Sequence, residues 1–136
     1  MKKSKKRTIE IGQYISPYRQ SRSENISFDN LYHQYCNDPD RMKKENNRTF
    51  YRIISSCTFT LRGKRSILVM IDTSINVKVK DYVVDENEIR YQVLAFEMIR
   101  FANEIPEWYL KCLTMLISGD IRTLGQYLAR DNIEGL

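Results

Sequence analysis

The stretch Tyr51-Arg52-Ile53-Ile54-Ser55-Ser56-Cys57-Thr58-Phe59-Thr60-Leu61-Arg62-Gly63-Lys64-Arg65-Ser66-Ile67-Leu68-Val69-Met70-Ile71 decides the fold. Its first half repeats every two residues. Ile53, Cys57, Phe59 and Leu61 share one face and Arg52, Ser56, Thr58 and Thr60 the other, which is the pattern of a half-buried strand. Arg62-Gly63-Lys64-Arg65 reads as a turn, with Gly63 supplying a dihedral that other residues resist. The wholly apolar run Ile67–Ile71 then fits a strand covered on both sides.

Working outward toward the C-terminus, Asp72-Thr73-Ser74 breaks the run, and Ile75-Asn76-Val77-Lys78-Val79-Lys80 alternates again, so a further strand is expected there. Tyr82-Val83-Val84 leads to a turn at Asp85-Glu86-Asn87-Glu88, whose acidic groups read as solvated. The last third fits two patterns. Ile89, Val93 and Phe96 make a helical stripe, yet Ile89–Val93 also alternates, and Leu110–Ile117 is bounded by turn residues. Pro106 bars one helix from running through. The two architectures open at this point are all-β, and α+β with helices after residue 89.

Toward the N-terminus, Ser27–Cys36 predicts a short helix with Ser27 as its cap and Leu31 and Tyr35 on one face. Asn37–Arg48 reads as a mixed-charge irregular segment. Tyr14, Tyr18, Phe28, Tyr32 and Tyr35 give this arm the aromatics to dock on a body. The expected organisation is a basic tail and partly ordered arm over residues 1–48, a β domain over 49–131, and a short tail over 132–136.

With 136 residues the chain suits one domain. Its net charge is 22 − 17 = +5, and five of the basic residues (Lys2, Lys3, Lys5, Lys6, Arg7) fall in the first seven positions. The remaining 129 residues carry 17 charges of each sign, so the positive excess belongs to the tail. The longest aliphatic run, Ile67–Ile71, is far below the roughly 20 residues of a membrane helix. Thr8-Ile9-Glu10-Ile11-Gly12-Gln13, not an apolar run, follows the basic start, so no secretory signal and no membrane association are expected. The odd set Cys36, Cys57 and Cys112 favours a reducing, cytoplasmic setting. His33 and Cys36 have a usable ligand spacing but no second pair to close a site, so neither a metal nor another cofactor is expected. The sole histidine has no assigned partner. The acidic groups Asp38/Asp40 and Asp85/Glu86/Glu88 look solvated, whereas acid–base chemistry needs a sheltered carboxyl, so the chain does not read as an enzyme.

Residues 59–129 resemble the second, β-barrel domain of translational GTPases of the elongation factor Tu type. The hairpin Phe59-Thr60-Leu61-Arg62-Gly63-Lys64-Arg65-Ser66-Ile67 resembles that family's F-T-I-x-G-R-G-x-V, and Val77-Lys78-Val79-Lys80-Asp81-Tyr82-Val83 its V-x-V-G-D-x-V. Phe96-Glu97-Met98-Ile99-Arg100 resembles V-E-M-F-R. Leu116-Ile117-Ser118-Gly119 resembles L-L-R-G, and Asp120-Ile121-Arg122-Thr123-Leu124-Gly125-Gln126-Tyr127-Leu128-Ala129 resembles D-I-x-x-G-Q-x-L-A with one extra residue. The chain departs from the family where Arg65, Met70 and Lys80 replace glycines, and where Asn103–Trp108 lacks A-G-D. No G-x-x-x-x-G-K-[ST] phosphate loop is present.

The resemblance implies an all-β fold, a six-stranded closed or nearly closed barrel, preceded by the irregular arm with its short helix. It settles the last third as strands. It also implies a non-enzymatic module whose partner is RNA (a transfer-RNA end) or a translation-machinery protein. By motif position, Leu61, Gly63, Ile67, Glu97 and Leu116 would form a nucleotide-end pocket, with Arg100 beside it. Arg62, Lys64 and Arg65 in the adjacent turn would meet RNA phosphates. Without the resemblance, Leu61, Ile67 and Leu116 read as core, and Glu97 and Arg100 as a surface ion pair. The other function open at this stage is a protein–protein interaction domain using exposed aromatics of the arm and the Trp108 loop.

Overall fold

The computed structural model describes residues 9–11, 14–18, 27–98 and 104–131. Nine strands occur among them: β1 (Ile9–Ile11), β2 (Met42–Glu45), β3 (Arg48–Arg52), β4 (Ser55–Leu61), β5 (Lys64–Asp72), β6 (Tyr82–Asp85), β7 (Arg90–Phe96), β8 (Cys112–Ile117) and β9 (Tyr127–Arg130). They form one sheet in the order β1-β4-β5-β8-β7-β6-β9-β3-β2, every neighbouring pair antiparallel. The expected all-β class holds. The hydrogen-bonded order counts nine strands rather than six, and it ends on β1 and β2 without closing.

The opening stretch makes the hairpin expected of it. Leu61 pairs with Lys64, and the two residues between them, Arg62 and Gly63, have φ of +54° and +80°, the left-handed turn that matches strand twist. Beyond it β5 is paired on both edges, and its side chains alternate between two cores. Ile67, Val69 and Ile71 join Val83, Tyr91, Val93, Met115, Ile117 and Leu128 in the central cluster. Leu68 packs on the other face with Cys57, Phe59 and Leu116. Every residue of Ile67–Ile71 is therefore buried, which is why the run carries no polar residue.

The alternation predicted for 53–61 slips by one. Ile53 belongs to the central cluster, whereas Cys57 and Phe59 belong to the opposite face. The cause is a bend between β3 and β4. The Ile53 N–H donates to Gln126 O (2.9 Å) and the Ile54 N–H to Met70 O (2.9 Å), so consecutive residues pair with different neighbours. A bend of this kind costs one step of side-chain phase.

The strand expected over Ile75–Lys80 is absent. After a 3₁₀ turn at Thr73–Ile75, Asn76 and Lys80 have φ of +52° and +81°, and Asp81 Oδ2 accepts from the Lys78 N–H (2.9 Å). Val77 still reaches the central core while Val79 is exposed, so the alternation was that of a packed loop. In the last third, β7, β8 and β9 are strands, and the α+β alternative is excluded. Pro106 precedes a 3₁₀ turn, Glu107–Lys111, that starts β8.

The predicted helix α1 (Phe28–Cys36) is present. Ser27 Oγ accepts from the Asn30 N–H (3.3 Å), and Leu31 and Tyr35 are buried. The arm docks on the outer face of the sheet: Tyr18, Leu31 and Tyr35 pack with Ile54, Met70, Tyr109 and Cys112. The segment Asn37–Arg48 is not irregular throughout, because β2 pairs with β3 through a two-residue turn at Asn46 and Asn47. No helix among the described residues is long and apolar enough to cross a membrane.

Candidate nucleic-acid interface

The β4–β5 hairpin carries Arg62, Gly63, Lys64 and Arg65 into solvent, all four exposed. Its neighbour across β4 is β1, whose register sets Ile9 opposite Leu61. The basic run Lys2–Arg7 lies outside the described residues, but chain connectivity keeps Arg7 within about 7 Å, and Lys2 within about 25 Å, of Ile9. Two groups of cations far apart in sequence thus attach to the same end of the sheet.

A loop from Ser118 to Gln126 supports that end. Gly119 has a φ of +115°, and a side chain there would meet the Tyr91 ring, whose Cδ2 lies 2.9 Å from the Cβ position. Asp120 caps the 3₁₀ turn Ile121–Thr123 by accepting from the Arg122 N–H (2.9 Å). Its carboxylate also grips the Arg122 guanidinium through Nε and Nη2 (2.7–3.1 Å). These bonds, with Arg65 nearby, hold the Asp120 carboxyl down at about 2. Arg65, Arg122, Asp120 and Thr58 border a cavity of about 200 Å³ beside the hairpin.

The loop is fixed from beneath by the acidic turn. Asp85 is fully buried rather than solvated. Its Oδ1 accepts from the Asn87 and Ile89 N–H groups (2.9 and 3.0 Å), and its Oδ2 from the Tyr91 hydroxyl (2.9 Å) and the Gly125 N–H (3.0 Å). Burial, with Asp85 adding to it, pushes the Tyr91 hydroxyl up to about 12, so it stays a donor. Glu86 accepts from the Gln126 and Tyr127 N–H groups (2.8–3.0 Å). A Cβ on Gly125 would collide with this carboxylate. Asp85 is sheltered, as acid–base chemistry would ask, but its lone pairs are taken by the protein's own donors, while Glu86 is exposed, as expected of the turn.

The residues assigned by motif position do not all meet. Gly63 sits at the exposed turn with Arg62, Lys64 and Arg65. Ile67 is fully buried in the central core and Leu116 in the cluster on the opposite face, so the two look away from each other. Glu97, half-buried, follows β7 and donates its N–H to Thr114 O (2.9 Å). Thr114 faces Met70, six residues of strand from Lys64, which is about 20 Å from the hairpin. Leu61 is placed by its backbone at the end of β4, and Arg100 lies outside the described residues. The loop 118–126 was missed as a support for the site, although Gly119 and Gly125 within seven residues mark a tightly packed turn.

Other chemistry is poorly served. Burial raises the Cys57 thiol to about 11 and the Cys112 thiol to about 12, which makes both weak nucleophiles. His33 Nε2 lies 3.4 Å from Asp29 Oδ1 on the exposed face of α1. Among the described residues no three His, Cys, Asp or Glu side chains cluster as metal ligands. The arm aromatics and Trp108 are largely occupied with one another. Tyr32 stacks on Trp108 (5.3 Å between centroids) and Tyr14 meets Phe28 edge-on. No family model, no curated protein and no solved structure matches the chain.

Proposed function

We propose that this chain is a non-enzymatic RNA-binding module that meets the phosphate backbone with its basic end. The observation that carries the reading is the pairing of Ile9 with Leu61, which sets the residue that follows the basic run and Thr8 beside the hairpin Arg62–Arg65. Exposed cations clustered at one end attract a polyanion by counterion release, whatever its sequence. Apart from the tail and these three hairpin cations the chain carries 14 positive and 17 negative charges, so this end sets the orientation of binding.

The likeness to domain 2 of translational GTPases supports the same reading. If β3 and β4 are taken as one long strand bent at Ile53–Ile54, it joins β5, β8, β7, β6 and β9 in a six-stranded barrel, with β1 and β2 as additions. Two features favour that view. The central cluster draws on the bend and on β5 to β9 alike. Lys80, standing where the family has glycine, has the positive φ of +81° that a glycine serves best. On this reading the setting is cytoplasmic and the partner is RNA of the translation machinery.

The protein-interaction reading has less to recommend it, because Tyr18, Tyr35 and Tyr109 are buried and Tyr32 and Trp108 stack on each other. The deciding experiment is fluorescence anisotropy with a labelled RNA oligonucleotide at low salt. Changing Arg62, Lys64 and Arg65 together to Glu should weaken binding by more than about tenfold and flatten its salt dependence. Unchanged affinity in a folded triple variant sinks the proposal.

A further inference from the structure

Beside the 200 Å³ cavity of Arg65 and Arg122 lies a larger one of about 320 Å³. Ile15, Pro17, Ile53, Ile121 and Leu124 give it aliphatic walls, and Gln126 adds a hydrogen-bonding group. Ile121 lines both, so the two chambers lie side by side with this side chain on their shared border. The larger is mainly aliphatic, with Ser16, Ser56 and Gln126 as its polar residues; the smaller carries Arg65 and the Arg122–Asp120 ion pair.

We propose that the pair accepts one unstacked base of a single-stranded RNA, its ring in the larger chamber and its adjoining phosphate at Arg65 and Arg122. The inference rests on the RNA reading above and adds a selectivity for single strands over duplex. The residues involved are, Arg65 apart, different from those assigned by motif position. The larger chamber lies at the low end of the roughly 300–1,000 Å³ of small-molecule sites, which suits a single flat ring. Aliphatic faces hold a base by contact with its π-surface, and this recognition tolerates any base. In a duplex the ring is stacked and paired and cannot enter.

Both walls are built before any ligand arrives. Asp85 and Glu86 fix the backbone of Gly125 and Gln126. On the other side Ile15 and Ser56 exchange N–H···O bonds of 2.6 and 2.8 Å, and Ser16 Oγ donates to Ile54 O. The arm is therefore part of the site, and little ordering is left to be done on binding.

The test compares a single-stranded RNA with a duplex of the same length and sequence, using the full chain. Wild type should prefer the single strand by about threefold or more, a gain from burying one base face against aliphatic walls. Leu124→Trp fills the chamber from the loop, and Ile15→Trp fills it from the arm, at a position already 55 % exposed and so tolerant of change. Each should lower single-strand affinity to that of the duplex and leave the salt-dependent duplex binding in place. Equal affinity of wild type for the two RNAs overturns the proposal, and so does a preference that survives both fillings. Absence of binding to either RNA instead overturns the RNA reading itself.

Discussion

At Asp85 a carboxylate from an acidic turn is withdrawn from water and given four donors, two for each oxygen. Replacing one oxygen by an amide NH₂ sets donors against donors in a buried site. Asp85→Asn should therefore lower stability by about 2–3 kcal/mol in urea denaturation. Glu88→Gln, at an exposed neighbour, should change it by less than about 0.5 kcal/mol. In one dimension Asp85 and Glu88 are alike. Only the pairing of Asp85 with Leu128 brings the Gly125 amide beneath the first, and that register is a long-range fact. Lys80 poses the same difficulty from the other side. Nothing in the sequence marks a lysine for a left-handed conformation, and only the backbone shows that it adopts one.

At the level of elements, local chemistry sufficed for α1, because a cap at Ser27 and an inward pair at Leu31 and Tyr35 are properties of ten consecutive residues. The hairpin at Arg62-Gly63 was legible for the same reason. The β2–β3 hairpin was not, although Asn46-Asn47 is a left-handed turn signal, because all four residues of β2 are exposed and show no alternation. Docking of the arm depends on Asp38, which accepts from Tyr18 Oη (2.8 Å) and from Arg52 Nη1 (2.9 Å). Burial opposes ionisation of Asp38, but the Asp40 N–H, the Tyr18 hydroxyl and Arg52 outweigh it and hold the carboxyl below its usual 3.8. With a folded pKa below the unfolded one, the contribution is complete above about pH 4 and is lost as pH falls through the depressed value. Trp108, the sole tryptophan, packs on Tyr32 of the arm, so its emission reports docking. Below pH 4 the emission should change with acidification in wild type. In Asp38→Asn the change attributable to this group should already be present at neutral pH; identical acid titrations of the two proteins contradict the assignment.

Over the whole molecule the decisive arrangement is one of charge. The tail brings five positive charges, the hairpin three more, and Ile9, two residues after the last of the tail's cations, pairs with Leu61 beside the hairpin. Removing residues 1–7 takes the net charge from +5 to 5 − 5 = 0 and leaves β1 intact. Thermal stability should hardly move, because nothing in the central core is touched. RNA affinity should fall, and the slope of log K against log salt should drop by about 0.7 for each phosphate contact that the tail had made. The same deletion separates two meanings of a basic tail. A tail acting only as diffuse charge adds its effect independently of the hairpin, so the deletion would cost as much in the Arg62→Glu/Lys64→Glu/Arg65→Glu background as in wild type. A tail held beside the hairpin shares the same stretch of phosphates, and the two changes should couple, the deletion costing less once the hairpin is reversed. Strict additivity across salt concentrations would mean that the Ile9–Leu61 register does not bring tail and hairpin to one ligand.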